Sequence, residues 1–152
     1  MKKIKNVLPY ILLPLGIGFI GSLLGNSKGF QDEVIQPSFA PPGFIFPIVW
    51  TILYILMGIS SFLVSKSDCN YKKTGLTLYG MQLAINCIWN LFFFRLKYFL
   101  FSFYLLLFLI LLVILMIIHF YKCNKTSAYL QIPYILWLIF ASILTYNIYL
   151  LN

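Results

Sequence analysis

Charge is what this chain has least of. Of its 152 residues 3 are acidic and 11 are basic, 9% charged in all, and five long stretches contain no Asp, Glu, Lys or Arg. Without an ionisable group inside those stretches there is no side-chain set for a proton relay, an ion pathway or a voltage sensor. The chain also lacks a carboxylate pair, a Ser-His-Asp set, a glycine-rich phosphate loop and any cluster of metal-ligating residues. Conventional acid-base or nucleophilic catalysis is not expected, nor is a metal. The single histidine, His119, reads as a capping or interfacial residue. Cysteine is sparse as well. Cys69 and Cys123 fall in polar loops and Cys87 in mid-helix, with no paired spacing for zinc or a redox dithiol, so three free thiols are expected.

What fills the chain instead is apolar. Hydrophobic residues make up 62% and aromatics 19%, with a mean hydropathy of +0.95. A soluble domain is nearer half apolar and a quarter charged. Crossing a hydrocarbon core takes roughly 20 apolar residues, and segments at about 7–25, 44–64, 75–94, 98–119 and 127–151 qualify. The expected fold is an all-α integral membrane protein, one domain over 1–152 made of a single bundle of five transmembrane helices. Short connections make consecutive helices antiparallel neighbours. The basic start ahead of an apolar run also fits a signal peptide. The run is long for that and no A-x-A-like site follows, so it is read as the first helix.

The net charge of +8 reads as topology rather than as a nucleic-acid surface. Lys2, Lys3, Lys5, Lys66, Lys72, Lys73, Lys122 and Lys125 share one end of a five-span bundle, against Lys28, Arg95 and Lys97 at the other. That asymmetry places the N-terminus in the cytoplasm and the C-terminus outside. The partner it implies is the lipid bilayer, with no nucleic acid.

The stretch that organises the rest is 37–58. Pro37, Pro41 and Pro42 hold an extended arm. A helix then begins near Phe44, tolerating Pro47 in its first turn. Phe46, Trp50, Tyr54 and Met57/Gly58 recur at helical steps and share a face. In the third span Tyr79, Gln82, Asn86, Trp89, Asn90 and Phe93 form a stripe that mixes amides with rings. Amides in hydrocarbon must find partners, so this stripe faces the bundle interior. In the fifth span Tyr134, Trp137, Ala141, Thr145 and Ile148 share a face, with Pro133 expected to kink the helix. Trp137 lies about 15 Å deep by residue count, beyond an interfacial belt, and Trp50 only about 9 Å. Together the three stripes suit an apolar cavity with a few fixed polar groups.

Three features keep alternative readings. In the first span the pairs Gly18/Ser22 and Gly21/Gly25 allow a backbone to approach closely, either inside the bundle or across a dimer seam. Gly80 and Ala84 offer a second such flank. Pro9 and Pro14 imply a kink or a late helix start. The fourth span, nearly all Leu, Ile and Phe, reads as lipid-exposed all round. The long polar loop 26–43 is either a lid or a plain connector.

These residues resemble the TspO/MBR family of tryptophan-rich sensory proteins, which includes the mitochondrial translocator protein. The motifs are Pro37, Pro41, Pro42, Phe46, Val49, Trp50, Thr51, Leu53, Tyr54, Met57, Gly58; then Gln82, Leu83, Asn86, Trp89; then Pro133, Tyr134, Trp137, Phe140, Ala141, Leu144, Leu151, Asn152. Phe30-Gln31, Gln36, Phe39 and Thr145 depart from the family pattern. The resemblance implies a five-helix bundle of bacterial type in the cytoplasmic membrane, often a homodimer. It implies a receptor or sensor that requires no cofactor and takes porphyrins such as protoporphyrin IX or haem as ligands, and in animals sterols and benzodiazepine-type drugs. Pro41, Trp50, Tyr54, Asn86, Trp89, Trp137 and Ala141 would surround the ligand. Lys28, Arg95 and Lys97 would meet its propionates at the rim. Alternative activities are breakdown of porphyrin in light and oxygen, with Trp50 and Trp137 as the reacting side chains, and transport of such ligands.

Overall fold

Each apolar run forms a helix, because backbone groups away from water must pair within their own segment. The structure, a computed structural model, describes residues 2–152 in backbone; Met1 and the side chains of Lys2 and Lys3 in the basic N-terminal cluster lie outside the described residues. The long helices are α1 (Lys2–Gly25), α3 (Ile45–Ser65), α4 (Lys72–Asn90), α5 (Phe99–Cys123) and α7 (Ile132–Leu151), with short helices α2 (Phe30–Glu33) and α6 (Lys125–Leu130). Five stretches are long and apolar enough to cross a membrane, counting α4 with its extension to Arg95 and α6 with α7. No strand occurs among the described residues.

The helix ends follow local chemistry. The Ile45 N–H bonds Pro42 O at 3.0 Å, and α3 starts there with Pro47 in its first turn. Asn124 caps α6, its side chain accepting from the Ser127 N–H at 3.1 Å. The expected kink at Pro133 is a break: α6 ends, Gln131 intervenes, and α7 restarts with the proline in its first turn, where its missing N–H is harmless. Of the two expectations for Pro9 and Pro14, the late start does not occur: α1 runs through both from Lys2. Beyond α4 the chain widens into a π-helical turn, Leu91–Arg95, with Leu96 N–H reaching Leu91 O at 3.0 Å. The wider turn spreads three consecutive rings. Phe92 meets Phe101, Phe93 stacks on Trp89, and Phe94 meets Phe30.

Neighbours in sequence are not always neighbours in space. α1 packs closely on both α3 and α4, which touch each other far less. Its small residues permit this. A Cβ on Gly18 would meet the Tyr54 ring at 2.3 Å, one on Gly21 would meet Asn90 at 3.0 Å, and one on Gly25 would meet Asn90 O at 3.0 Å. The close-approach face of α1 is therefore used inside the bundle. Gly80 has nothing within 4 Å. α5 buries Leu106, Leu109, Val113, Met116 and Phe120 against α4 and α7. It is thus a core helix with one lipid-type flank, not exposed all round. The least buried of the five is α1.

One cysteine expectation is overturned. Cys69 and Cys123, 54 positions apart in sequence, form a disulfide with Cα atoms 5.4 Å apart, and Cys87 is free. Antiparallel α4 and α5 bring the loop before one helix beside the end of the other. Sequence spacing carries no trace of that meeting.

Candidate functional site

At the end of the bundle opposite the disulfide, α3 and α7 stand apart and touch through rings. Phe46 and Trp137 meet with centroids 5.8 Å apart, and Trp50 and Tyr134 with centroids 6.1 Å apart. The space between them is a cavity of about 750 Å³, walled by α1, α3, α4, α7 and the 26–43 loop. That lies within the range of small-molecule sites. Of the residues singled out from sequence, Trp50, Tyr54, Trp89, Trp137 and Ala141 line it.

Below the wall lies a closed polar floor. Tyr54 donates to Asn86 Oδ1 at 3.2 Å, Asn86 Nδ2 donates to the Tyr134 hydroxyl at 3.0 Å, and Tyr134 donates to Gln82 Oε1 at 2.6 Å. Gln82 Nε2 completes the chain at Met57 Sδ, 3.9 Å away. Three helices are stitched together this way, each amide finding a partner in a region where an unpaired one is costly. Asn86 is thus a floor residue that holds Tyr54 and Tyr134, one layer beneath the wall. Trp50 lies stacked on Tyr54, centroids 5.5 Å apart, so the floor also fixes an indole in the wall.

The 26–43 loop supplies the remaining side of the cavity. Phe30 of α2 is 6% exposed and sits among Phe93, Phe94 and Phe99 at 5.0, 4.9 and 6.2 Å between centroids. Gln31, Asp32 and Gln36 line the cavity from above. Two polar ties hold the loop down. The Asn152 side chain accepts from Ile35 N–H and donates to Ile35 O, both at 3.0 Å, and Lys97 pairs with Glu33.

Other positions fall elsewhere. Pro41 shapes the arm but is not on the wall, and Lys28, Arg95 and Lys97 are exposed without lining the cavity. His119 Nδ1 lies 2.8 Å from Leu115 O, with its ring edge-on to Tyr71 at 6.0 Å, at the disulfide end. The wall also takes Leu15, Gly18, Phe19 and Ser22 of α1; sequence reasoning assigned Gly18 and Ser22 to close packing or a dimer seam and Leu15 and Phe19 to no role. Phe30 and Asp32 were missed too. A phenylalanine beside the one acidic pair of a long loop was the available signal.

The profile of the TspO/MBR family matches residues 10–151. A protein described as tryptophan-rich protein TspO from Archaeoglobus fulgidus is 36% identical over 155 aligned positions, covering 98% of each chain. Its namesake from Chlorobaculum tepidum is 32% identical, covering 99% of this chain and 98% of its own. The translocator protein of Bos taurus is 29% identical over 145 positions, 92% of this chain and 86% of its own.

Proposed function

Since the chain belongs to the TspO/MBR family of integral membrane proteins, we propose that it is a membrane receptor or sensor for tetrapyrroles of the protoporphyrin IX and haem type. The observation that carries the reading is the ring-lined cavity of about 750 Å³ beneath a docked loop. Trp50, Trp89 and Trp137 all border it, and flat ligands stack on such walls. The bundle acts as a single domain, in the orientation read from the lysine asymmetry. Titrating purified protein with protoporphyrin IX, followed by tryptophan quenching and porphyrin absorbance, tests this. Saturable binding that weakens in Trp137→Ala supports it; absence of a saturable signal removes it.

One observation favours a second reading, breakdown of bound porphyrin in light and oxygen. Trp50 and Trp137 stand on facing walls of the cavity, and indole is readily oxidised. Comparing Trp50→Phe and Trp137→Phe under illumination in air separates the roles. If both variants convert porphyrin as fast as the parent, the indoles are only walls. Transport across the bundle is less well supported, since the satisfied floor around Asn86 and Tyr134 seals the cavity toward the lysine-rich end.

A further inference from the structure

Away from the aromatic cavity, the lysine-rich end of the bundle carries a second recess. It is a groove of about 240 Å³ on the flank of α5, lying across the break between α6 and α7. Ile118, Tyr121 and Lys122 line it from α5, and Ala128, Tyr129 and Ile132 from the other side. Of these all but Ala128 are exposed, and on spanning helices an exposed apolar flank meets lipid. Lys122 contributes its hydrocarbon stem while its charge stays at the rim. The wall is therefore apolar, suited to a hydrocarbon chain and not to a polar headgroup.

The rim is cationic and not neutralised. Lys122 Nζ stands 4.4 Å from the centre of the Tyr71 ring, and Lys125 Nζ 5.6 Å from that of Tyr121, itself part of the groove. A ring face steadies an ammonium group but leaves its charge in place. Lys66, Lys72 and Lys73 add cations at this end, where the loop between α3 and α4 holds a single acid, Asp68. Among the described residues the one ion pair is Lys97 with Glu33, at the far end, so no carboxylate engages Lys122 or Lys125. An apolar slot that ends at free ammonium groups matches an amphiphile, with a chain in the slot and an anion above it. In a bilayer the chain alone confers no preference, because lipid tails are as apolar as the wall. The headgroup charge has to decide. Phosphocholine would bring its own cation beside the lysines, whereas phosphatidylglycerol brings only the phosphate.

We infer that this groove holds one anionic phospholipid, with an acyl chain against Ile118, Ala128 and Ile132 and its phosphate within reach of Lys122 and Lys125. Lying across the break between α6 and α7, the lipid bridges three helices. The site is separate from the aromatic cavity and does not depend on what that cavity binds.

The test titrates purified protein in mild detergent with phosphatidylglycerol or with phosphatidylcholine of the same chains, counting bound lipid by native mass spectrometry. Phosphatidylglycerol should saturate at one lipid per chain and bind about tenfold more tightly, given the attraction that each lysine near a membrane surface adds. Lys122→Gln combined with Lys125→Gln should abolish that preference. Lys66→Gln combined with Lys73→Gln removes the same charge from the same end, off the groove, and should leave most of the preference in place. Ile118→Trp and Ile132→Trp, at partly exposed positions, keep every charge but fill the groove, and both should weaken phosphatidylglycerol binding. Thermal unfolding without added lipid checks that each variant is folded. Equal loss in the two lysine pairs would mean a diffuse basic surface and overturn the site. Phosphatidylcholine binding as tightly as phosphatidylglycerol would overturn it too, as would tryptophan variants that bind like the parent.

Discussion

Tyr134 ties Gln82 to Asn86: its hydroxyl donates to Gln82 Oε1 at 2.6 Å and accepts from Asn86 Nδ2 at 3.0 Å. One oxygen thereby fixes two amides on α4 from α7, and both amides are buried. Tyr134→Phe keeps the ring against Trp50 and removes both bonds. Interhelical hydrogen bonds in membranes average about 0.6 kcal/mol, with a maximum near 1.7, so the loss should be about 1–2 kcal/mol. Thermal unfolding in detergent measures it. A variant as stable as its parent would mean that the floor is filled but does not hold the helices.

Gly58 marks where α3 presses against α1. A Cβ there would lie 2.5 Å from Ile11 Cα and 2.7 Å from Tyr10 O, both backbone atoms that cannot swing aside. Gly58→Ala should destabilise by about 1–3 kcal/mol, the range for overpacking. Gly80→Ala, with nothing within 4 Å, serves as the contrast. It should be neutral, or stabilising by up to about 1 kcal/mol through helix propensity. The same flank tests the dimer: Gly80→Leu shifts the oligomeric state in light scattering only if a second copy packs there.

The disulfide and the lysines make opposing statements about sidedness. Disulfides persist in oxidising compartments, whereas the basic end of a bundle faces the cytoplasm. Lys66, Lys72, Lys73, Lys122 and Lys125 all lie near Cys69 and Cys123 in sequence, and we expect that charge asymmetry to prevail. In growing cells the pair should be reduced, so a denatured, maleimide-labelled chain carries three tags; after oxidation it carries one, on Cys87. One tag directly from cells would place the basic end outside. Closing a 54-residue separation is worth about 4 kcal/mol for a free chain. Here the membrane already restrains the unfolded spans, so Cys69→Ser should cost less than that and lower the unfolding temperature by only a few degrees.

The spans were legible because length and hydrophobicity alone decide them, and the three stripes were legible because helical periodicity carries them. Trp50, Tyr54, Trp89, Trp137 and Ala141 reach the wall from those stripes. What could not be read was relative placement. α1 separates α3 from α4 through Gly18, Gly21 and Gly25, so its Leu15 and Phe19 enter the wall although nothing in their own spacing distinguishes them from packing residues. Asn86 was legible as an interior amide, but not as the layer below the cavity. The cysteine pairing depends on two helix ends meeting 54 residues apart, and a lone residue in each loop leaves no local signal.

The 26–43 loop offers the last test, because its two kinds of anchor differ in strength. Asn152 holds Ile35 by two exposed hydrogen bonds, while Phe30 is buried in an aromatic socket. Exposed neutral hydrogen bonds are worth about 0.5–1.5 kcal/mol each at most. Losing a buried phenylalanine costs about 3–5 kcal/mol. Asn152→Ala should therefore loosen the loop without undocking it. If the loop gates the cavity, association and dissociation of a porphyrin both quicken, by up to about tenfold, and Kd changes little because closed and open states shift in the free and bound protein alike. Phe30→Ala removes wall as well as anchor, so it should weaken Kd and lower stability together. Stopped-flow porphyrin binding separates the cases. Rates unmoved by Asn152→Ala would make the 26–43 segment a fixed wall, and entry would then run through the flank between α1 and α3.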